Sequence, residues 1–234
     1  MTQPLNLAET PLFFPASREQ DPHRGRPPPR EVHAYLDDQA LLGLMLARSG
    51  GDPDRLSEVL LHRFGSLGAV AAADPAELRR AANLSAAAVQ DLKILRELAI
   101  RLARIDARRR PVITSWSALQ AYVRAALAHQ PREQFRVLFL DHRNNLIQDE
   151  FVADGTVDHA PVYPREVVRR ALELSASAMI LVHNHPSGDP TPSRADVEMT
   201  GQIVEAARLF GLRVHDHLVI GRDGTASFKS LGLI

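Results

Sequence analysis

The chain contains no cysteine, which excludes disulfides, thiolate-held zinc and a cysteine nucleophile; any metal must be held by histidine and carboxylate. It also lacks an excess of either charge. Lys+Arg and Asp+Glu are both 28, for a formal net charge of +0, so a polybasic nucleic-acid coat is ruled out as a whole-protein property, although a local basic patch is not. No apolar run approaches the roughly 18–20 residues that cross a bilayer, so no membrane partner is expected. The opening MTQPLNLAETPLFF has no basic segment followed by an apolar one, and a cytoplasmic protein without a secretory signal is the expectation. What is present is ample for a core: 45% of the 234 residues are hydrophobic and 24% are charged.

Three regions differ in pattern. Residues 1–32 hold Pro15, Pro22 and the run Arg26-Pro27-Pro28-Pro29-Arg30, a composition that continues neither helix nor sheet and reads as a solvated tail. Residues 33–110 read as a small all-helical domain. Leu41, Leu42, Met45 and Leu46 recur at helical spacing, and Asp52-Pro53 and Asp74-Pro75 each pair a cap with a first-turn proline. The turn Asn83-Leu84-Ser85 precedes a long helix carrying Val89, Leu92, Leu95 and Leu102. Residues 111–234 alternate helix and strand. A helix over Trp116–Ala128 is followed by strands over Phe135–Leu140 and Leu146–Val152 and a turn at Asp154-Gly155. Then come a helix from Pro164, an apolar strand over Ala178–Val182, a helix over Ser193–Phe210 and a hairpin of Leu212–Ile220 with Thr225–Phe228. The predicted class is α/β, a mixed sheet flanked by helices and preceded by a small all-α domain.

The chemistry concentrates in His183-Asn184-His185-Pro186-Ser187-Gly188 and the Ser193 and Asp196 that follow. In an extended segment residues i and i+2 share a side, so His183 and His185 can converge. Pro186, Gly188, Pro190 and Pro192 make a stiff loop able to return Asp196 to the same point. Two imidazoles and a carboxylate are the ligand set of a catalytic zinc, which keeps its fourth position open and lowers the pKa of water there to about 7. A plainer account is also available: Ser193 with Asp196 three residues on suits a helix cap with an acidic first turn.

His-x-His, seven residues, Ser, two residues, Asp resembles the signature of the JAMM (MPN-type) metallohydrolases. The wording His183-Asn184-His185-Pro186-Ser187-Gly188, with Pro164-Arg165-Glu166 upstream and Asp216-His217 downstream, looks like the RadC-like branch, and the likeness runs from about residue 33 to the C-terminus. The resemblance implies a JAB/MPN-like fold with cytidine-deaminase-like layering and Zn2+ on His183, His185 and Asp196. It further implies that a glutamate acts on the water at the zinc and that Ser193 helps hold the oxyanion. JAMM enzymes cut peptide or isopeptide bonds, so the expected partner is a protein or peptide substrate. The family glutamate stands at the start of the first strand, here Glu133, with Glu150 and Glu166 as rivals.

Two features are read more plainly. His215-Asp216-His217 repeats the His-x-His spacing inside a strand and could place both rings on one face. The favoured account is a sheet face with Asp216 paired to an imidazole or backbone amide, and His217 is a candidate to fix the second nitrogen of a ligand imidazole. The helical region resembles the helix-hairpin-helix part of RadC-like proteins, but its Asn83-Leu84-Ser85 lacks the Gly-x-Gly of phosphate-binding hairpins. Arg101, Arg104 and Arg108 share a helix face, so a weak DNA contact and a role in repair form the alternative reading, in which the metal domain acts on or near nucleic acid. A homodimer is compatible with the sequence.

Overall fold

The computed structural model describes residues 32–47, 51–154 and 162–234. Most of the expected tail, Gly50 of the expected helix break and Gly155 of the expected turn lie outside the described residues. The described residues divide between Asp37 and Asp38 into two units. In the first, Val32–Tyr35 forms a turn of 3-10 helix.

The second unit opens with five helices: α1 (Asp38–Leu46), α2 (Pro53–Phe64), α3 (Leu67–Ala72), α4 (Pro75–Ala82) and α5 (Ala86–Arg108). The starts of α2 to α5 are set by short polar caps that satisfy free N–H groups of the first turn. Asp52 accepts from the Asp54 and Arg55 amides, Ser66 from Ala69, Asp74 from Ala76 and Glu77, and Ser85 from Ala88. α3 was not expected from the sequence, since six residues are too few to show a helical period. Leu42, Leu46, Leu60, Val70, Leu78, Val89 and Leu92 form this region's core. Among the described residues it holds no strand. α5 outruns that core, and its Ile100 and Ala107 join a second one against the sheet.

Beyond it come α6 (Trp116–Leu127), β1 (Gln134–Leu140), β2 (Leu146–Asp154), α7 (Pro164–Glu173) and β3 (Ala178–Asn184). They are followed by α8 (Arg194–Arg208), β4 (Arg213–Ile220), β5 (Thr225–Ser227) and α9 (Phe228–Leu231). The expected last strand stops one residue short. Ser227 caps α9, accepting from the Ser230 amide, and buries Phe228 as its first residue. The sheet order is β2-β1-β3-β4-β5, with β3 and β4 parallel and the other neighbours antiparallel. The structure is thus a mixed five-stranded sheet flanked by helices, behind an all-helical region.

Every residue of β3 is buried, because both sheet faces are covered. Ile180 and Val182 face a core shared with α6, while Met179 and Leu181 face one shared with α7 and α8. By strand alternation His183 continues the α7/α8 side. β1 runs antiparallel to β3, so the start of β1 lies at the same sheet end as the exit of β3. That end carries the chemistry.

Candidate metal centre

His183 is the penultimate residue of β3, fully buried, and His185 extends the strand by donating its amide to the Ile220 carbonyl of β4 at 3.0 Å. The chain then turns through Gly188, whose φ of +104° is a left-handed conformation that glycine adopts without strain. The loop is held against the β4–β5 turn so closely that a Cβ at Gly221 would sit 2.0 Å from the Gly188 carbonyl oxygen. Ser193 then caps α8 in a reciprocal box: its Oγ accepts from the Asp196 amide at 3.2 Å, and Asp196 Oδ2 accepts from the Ser193 amide at 2.7 Å. The helix-cap account of Ser193 and Asp196 is therefore realised, and it does not compete with a metal role. The Ser193 hydroxyl donates to the same Oδ2 at 2.6 Å, leaving Oδ1 turned toward His183.

The three side chains meet. His183 Nε2 lies 3.0 Å from His185 Nε2 and 3.3 Å from Asp196 Oδ1, and His185 Nε2 lies 3.5 Å from Asp196 Oδ2. A tetrahedral zinc with ligand bonds of about 2.0–2.1 Å spaces its ligand atoms about 3.3–3.4 Å apart. The observed separations are of this size, each histidine facing a different Asp196 oxygen, and His183, His185 and Asp196 form a group able to hold a metal. The His185 tautomer fits as well: its Nδ1 faces the Asp189 carbonyl at 2.9 Å, which can only accept, so Nδ1 carries the proton and Nε2 offers its lone pair. Asp196's hydrogen bond raises the His185 pKa; burial opposes this, and the Asp189 carbonyl and the Asp196 and Glu133 charges add to the rise. Burial alone would push the Asp196 carboxyl up, but its bonds to His183, His185 and Ser193 prevail and hold it well below the usual carboxylate range. The point where the three meet favours positive charge.

Glu133 immediately precedes β1 and is half-buried. Phe135 pairs with His183, and continuing that antiparallel register by two residues sets Glu133 across from His185. Its rivals are engaged elsewhere. Arg170 Nε contacts both Glu150 oxygens, at 2.9 and 2.8 Å, and Glu166 pairs with Arg165 and Arg169.

Asn184 is a residue that the sequence reading passed over. Its Oδ1 accepts from the Gln134 amide at 2.9 Å and its Nδ2 donates to the Arg132 carbonyl at 3.1 Å, pinning the backbone on both sides of Glu133 to β3. Its place between the two histidines was the available signal: alternation sends it to the opposite face from them.

The second His-x-His does not converge. His217 reaches His183, with its Nε2 2.8 Å from His183 Nδ1, whereas His215 donates from Nε2 to Asn144 Oδ1 at 2.6 Å. Asp216 is buried and paired, as the plainer account had it. Its Oδ1 accepts from the His217 and Lys229 amides at 2.7 and 3.0 Å, and its Oδ2 from Ser227 Oγ at 2.6 Å.

A helix-flanked mixed sheet with a His-His-Asp group at one strand end defines an α/β domain of JAB type. The family model described as "RadC-like JAB domain" matches residues 113–233, just over half of the chain. A relative named "UPF0758 protein" from Rhodobacter capsulatus is 57% identical over 201 residues, covering 85% of this chain and 94% of its own length. The chain belongs to the RadC-like JAB family. No helix among the described residues is long and apolar enough to cross a membrane.

Proposed function

We propose that this protein is a zinc-dependent hydrolase cutting a peptide or isopeptide bond. The observation that carries the reading is the triangle of His183 Nε2, His185 Nε2 and Asp196, with edges of 3.0, 3.3 and 3.5 Å and Glu133 beside it. His183, His185 and Asp196 hold the metal, which when bound polarises a carbonyl and makes water nucleophilic near pH 7. Glu133 takes a proton from the attacking water and returns it to the leaving amide nitrogen, so that carboxylate and amine are the products. Ser193 holds the Asp196 carboxylate through its hydroxyl, and the same hydroxyl, once turned toward substrate, donates to the developing oxyanion.

The nucleic-acid reading is less well supported. The arginines of the α5 face already have partners within the chain: Arg101 with Glu97 at 2.7 Å, Arg104 Nε with the Tyr122 hydroxyl at 2.9 Å, and Arg108 with the Ile147 carbonyl at 3.3 Å. In the hairpin Asn83 adopts φ +47°, so the turn forms without the glycines that let a backbone approach phosphate.

The test is a cleavage screen of the full chain, loaded with zinc, against peptide, isopeptide-linked and phosphodiester pools. The expected result is amide hydrolysis that is abolished by chelator and by Asp196→Ala. Phosphodiester cleavage without amide cleavage, or amide cleavage indifferent to chelator, would overturn the reading.

A further inference from the structure

A chain of three buried hydrogen bonds runs behind the metal centre and returns to it. His183 Nδ1 lies 2.8 Å from His217 Nε2, His217 Nδ1 lies 2.7 Å from Thr200 Oγ1, and Thr200 Oγ1 lies 2.6 Å from the Asp196 carbonyl. His183, His217 and Thr200 are all 0% exposed. The chain therefore joins β3, β4 and α8, and both of its ends are residues of the triad.

The proton positions along it follow from one fixed point. The Asp196 carbonyl can only accept, so the single hydroxyl proton of Thr200 is committed there, since the reverse would set two oxygen acceptors against each other at 2.6 Å. Thr200 Oγ1 must then accept from His217 Nδ1–H. His217 is fully buried and touches no carboxylate with either ring nitrogen, so it is the neutral imidazole, and its Nε2 is left with a lone pair. That lone pair requires a proton on His183 Nδ1, which in turn leaves His183 Nε2 deprotonated and aimed at His185 Nε2 and Asp196. The rings have little freedom to rearrange: Phe135 stacks on His183 at 6.3 Å between centroids, and Phe228 packs on His217 at 4.5 Å.

We propose that Thr200 and His217 are positioning residues whose hydrogen-bond polarity fixes His183 in its Nδ1–H tautomer and presents its Nε2 lone pair to the metal. This rests on the metal reading above and adds the determinant of its affinity. A ligand imidazole whose second nitrogen is fixed binds metal better, and losing such a partner typically costs 10–100-fold in affinity.

The test is titration of the full chain with Co2+, followed by visible absorption, and Zn2+ competition against a chromophoric chelator. His217→Leu removes the acceptor and is expected to weaken both metals by about 10–100-fold. Thr200→Val removes the acceptor for His217 while keeping the volume, and is expected to weaken them by about 10-fold. His217→Gln supplies a carbonyl acceptor for His183 and an amide donor for Thr200, and should stay nearer to wild type than His217→Leu. Metal affinity in His217→Leu equal to wild type, or His217→Gln as weak as His217→Leu, would overturn the proposal. Long-range 1H–15N spectra of chelator-treated wild type give a readout that needs no variant to fold: His183 and His217 should both show protonated Nδ1. Protonated Nε2 on His183 would sink the idea. If wild type takes up neither metal while those tautomers are seen, the metal reading falls instead.

Discussion

The two His-x-His segments have the same spacing, lie in neighbouring parallel strands and end up differently. Against β1 the ladder of β3 is regular from Ala178 to His183, and His183 and His185 turn the same way with their Nε2 atoms 3.0 Å apart. In β4 the register slips: Met179 pairs with Val214 and Ile180 with Asp216, so His215 is an extra residue opposite nothing in β3. Such a bulge breaks the alternation, and Val214 and His217 rather than His215 and His217 come to serve the α7/α8 side. Alternation over a short motif is reliable only while the ladder stays in register.

The comparison is broken most sharply at the first pair. His183→Ala removes a buried nitrogen of the triangle and the end of the Thr200 chain together. Metal content is expected to drop from about one ion per chain to near zero, because three protein ligands are what such a site retains. Elemental analysis after dialysis against trace zinc measures this. Stoichiometric zinc in that variant would remove His183 from the site.

The next effect is on turnover. Glu133→Gln should lower it by the ~10²–10⁴-fold typical of losing a general acid–base group, with zinc content unchanged. Ser193→Ala should cost about 10²–10³-fold through the oxyanion and about 1 kcal/mol through the helix cap. Glu150→Gln is the control: it loses the Arg170 pair, and its turnover should stay near wild type. An inactive Glu150→Gln beside an active Glu133→Gln would move the base to β2.

Much of this arrangement was legible in the residues themselves. The apolar run Ala178–Val182 announced a strand buried on both faces, and the loop prolines announced a stiff return toward Asp196. What stayed hidden depended on pairing between strands. Which glutamate lies near the triad depends on the β1–β3 register, and no local pattern encodes it. The Asn184 clamp needs the same register, because its partners lie about fifty residues earlier in the chain. The bulge at His215 leaves no mark in composition: a His-Asp-His run looks the same whether or not its partner strand keeps step.

A smaller and graded effect comes with pH. The Asp196 bond raises the His185 pKa above the ordinary imidazole value of about 6.5, so a proton competes with metal at His185 sooner than at a free imidazole. Protonated His185 cannot ligate, so affinity should fall as pH drops through that raised pKa and be fully present above it. Asp196 stays ionised throughout, its carboxyl being held well below the usual range. Up to a tenfold loss per pH unit is expected for one competing proton, with proton release on metal binding. Chelator competition at a series of pH values measures it. Affinity flat from neutral pH to well below the imidazole range would show that His185 is not a ligand.

The smallest effect belongs to the second pair, at His215. Its ring is half-buried and makes one hydrogen bond to Asn144, the αL residue (φ +61°) in the turn between β1 and β2. Burial and the charges of Arg213 and Lys229 lower its pKa, so near neutral pH it is a neutral donor rather than a cation. Replacing it by valine, which suits a strand, removes that bond and leaves Asn144 Oδ1 to the solvent at the turn. The expected cost is about 0.5–1.5 kcal/mol of stability, read from denaturant melts, with zinc affinity unchanged because His217 keeps its place beyond the bulge. A drop in zinc affinity in His215→Val would mean that the bulge is held by the side chain of His215, and that the two histidines of the second pair act together after all.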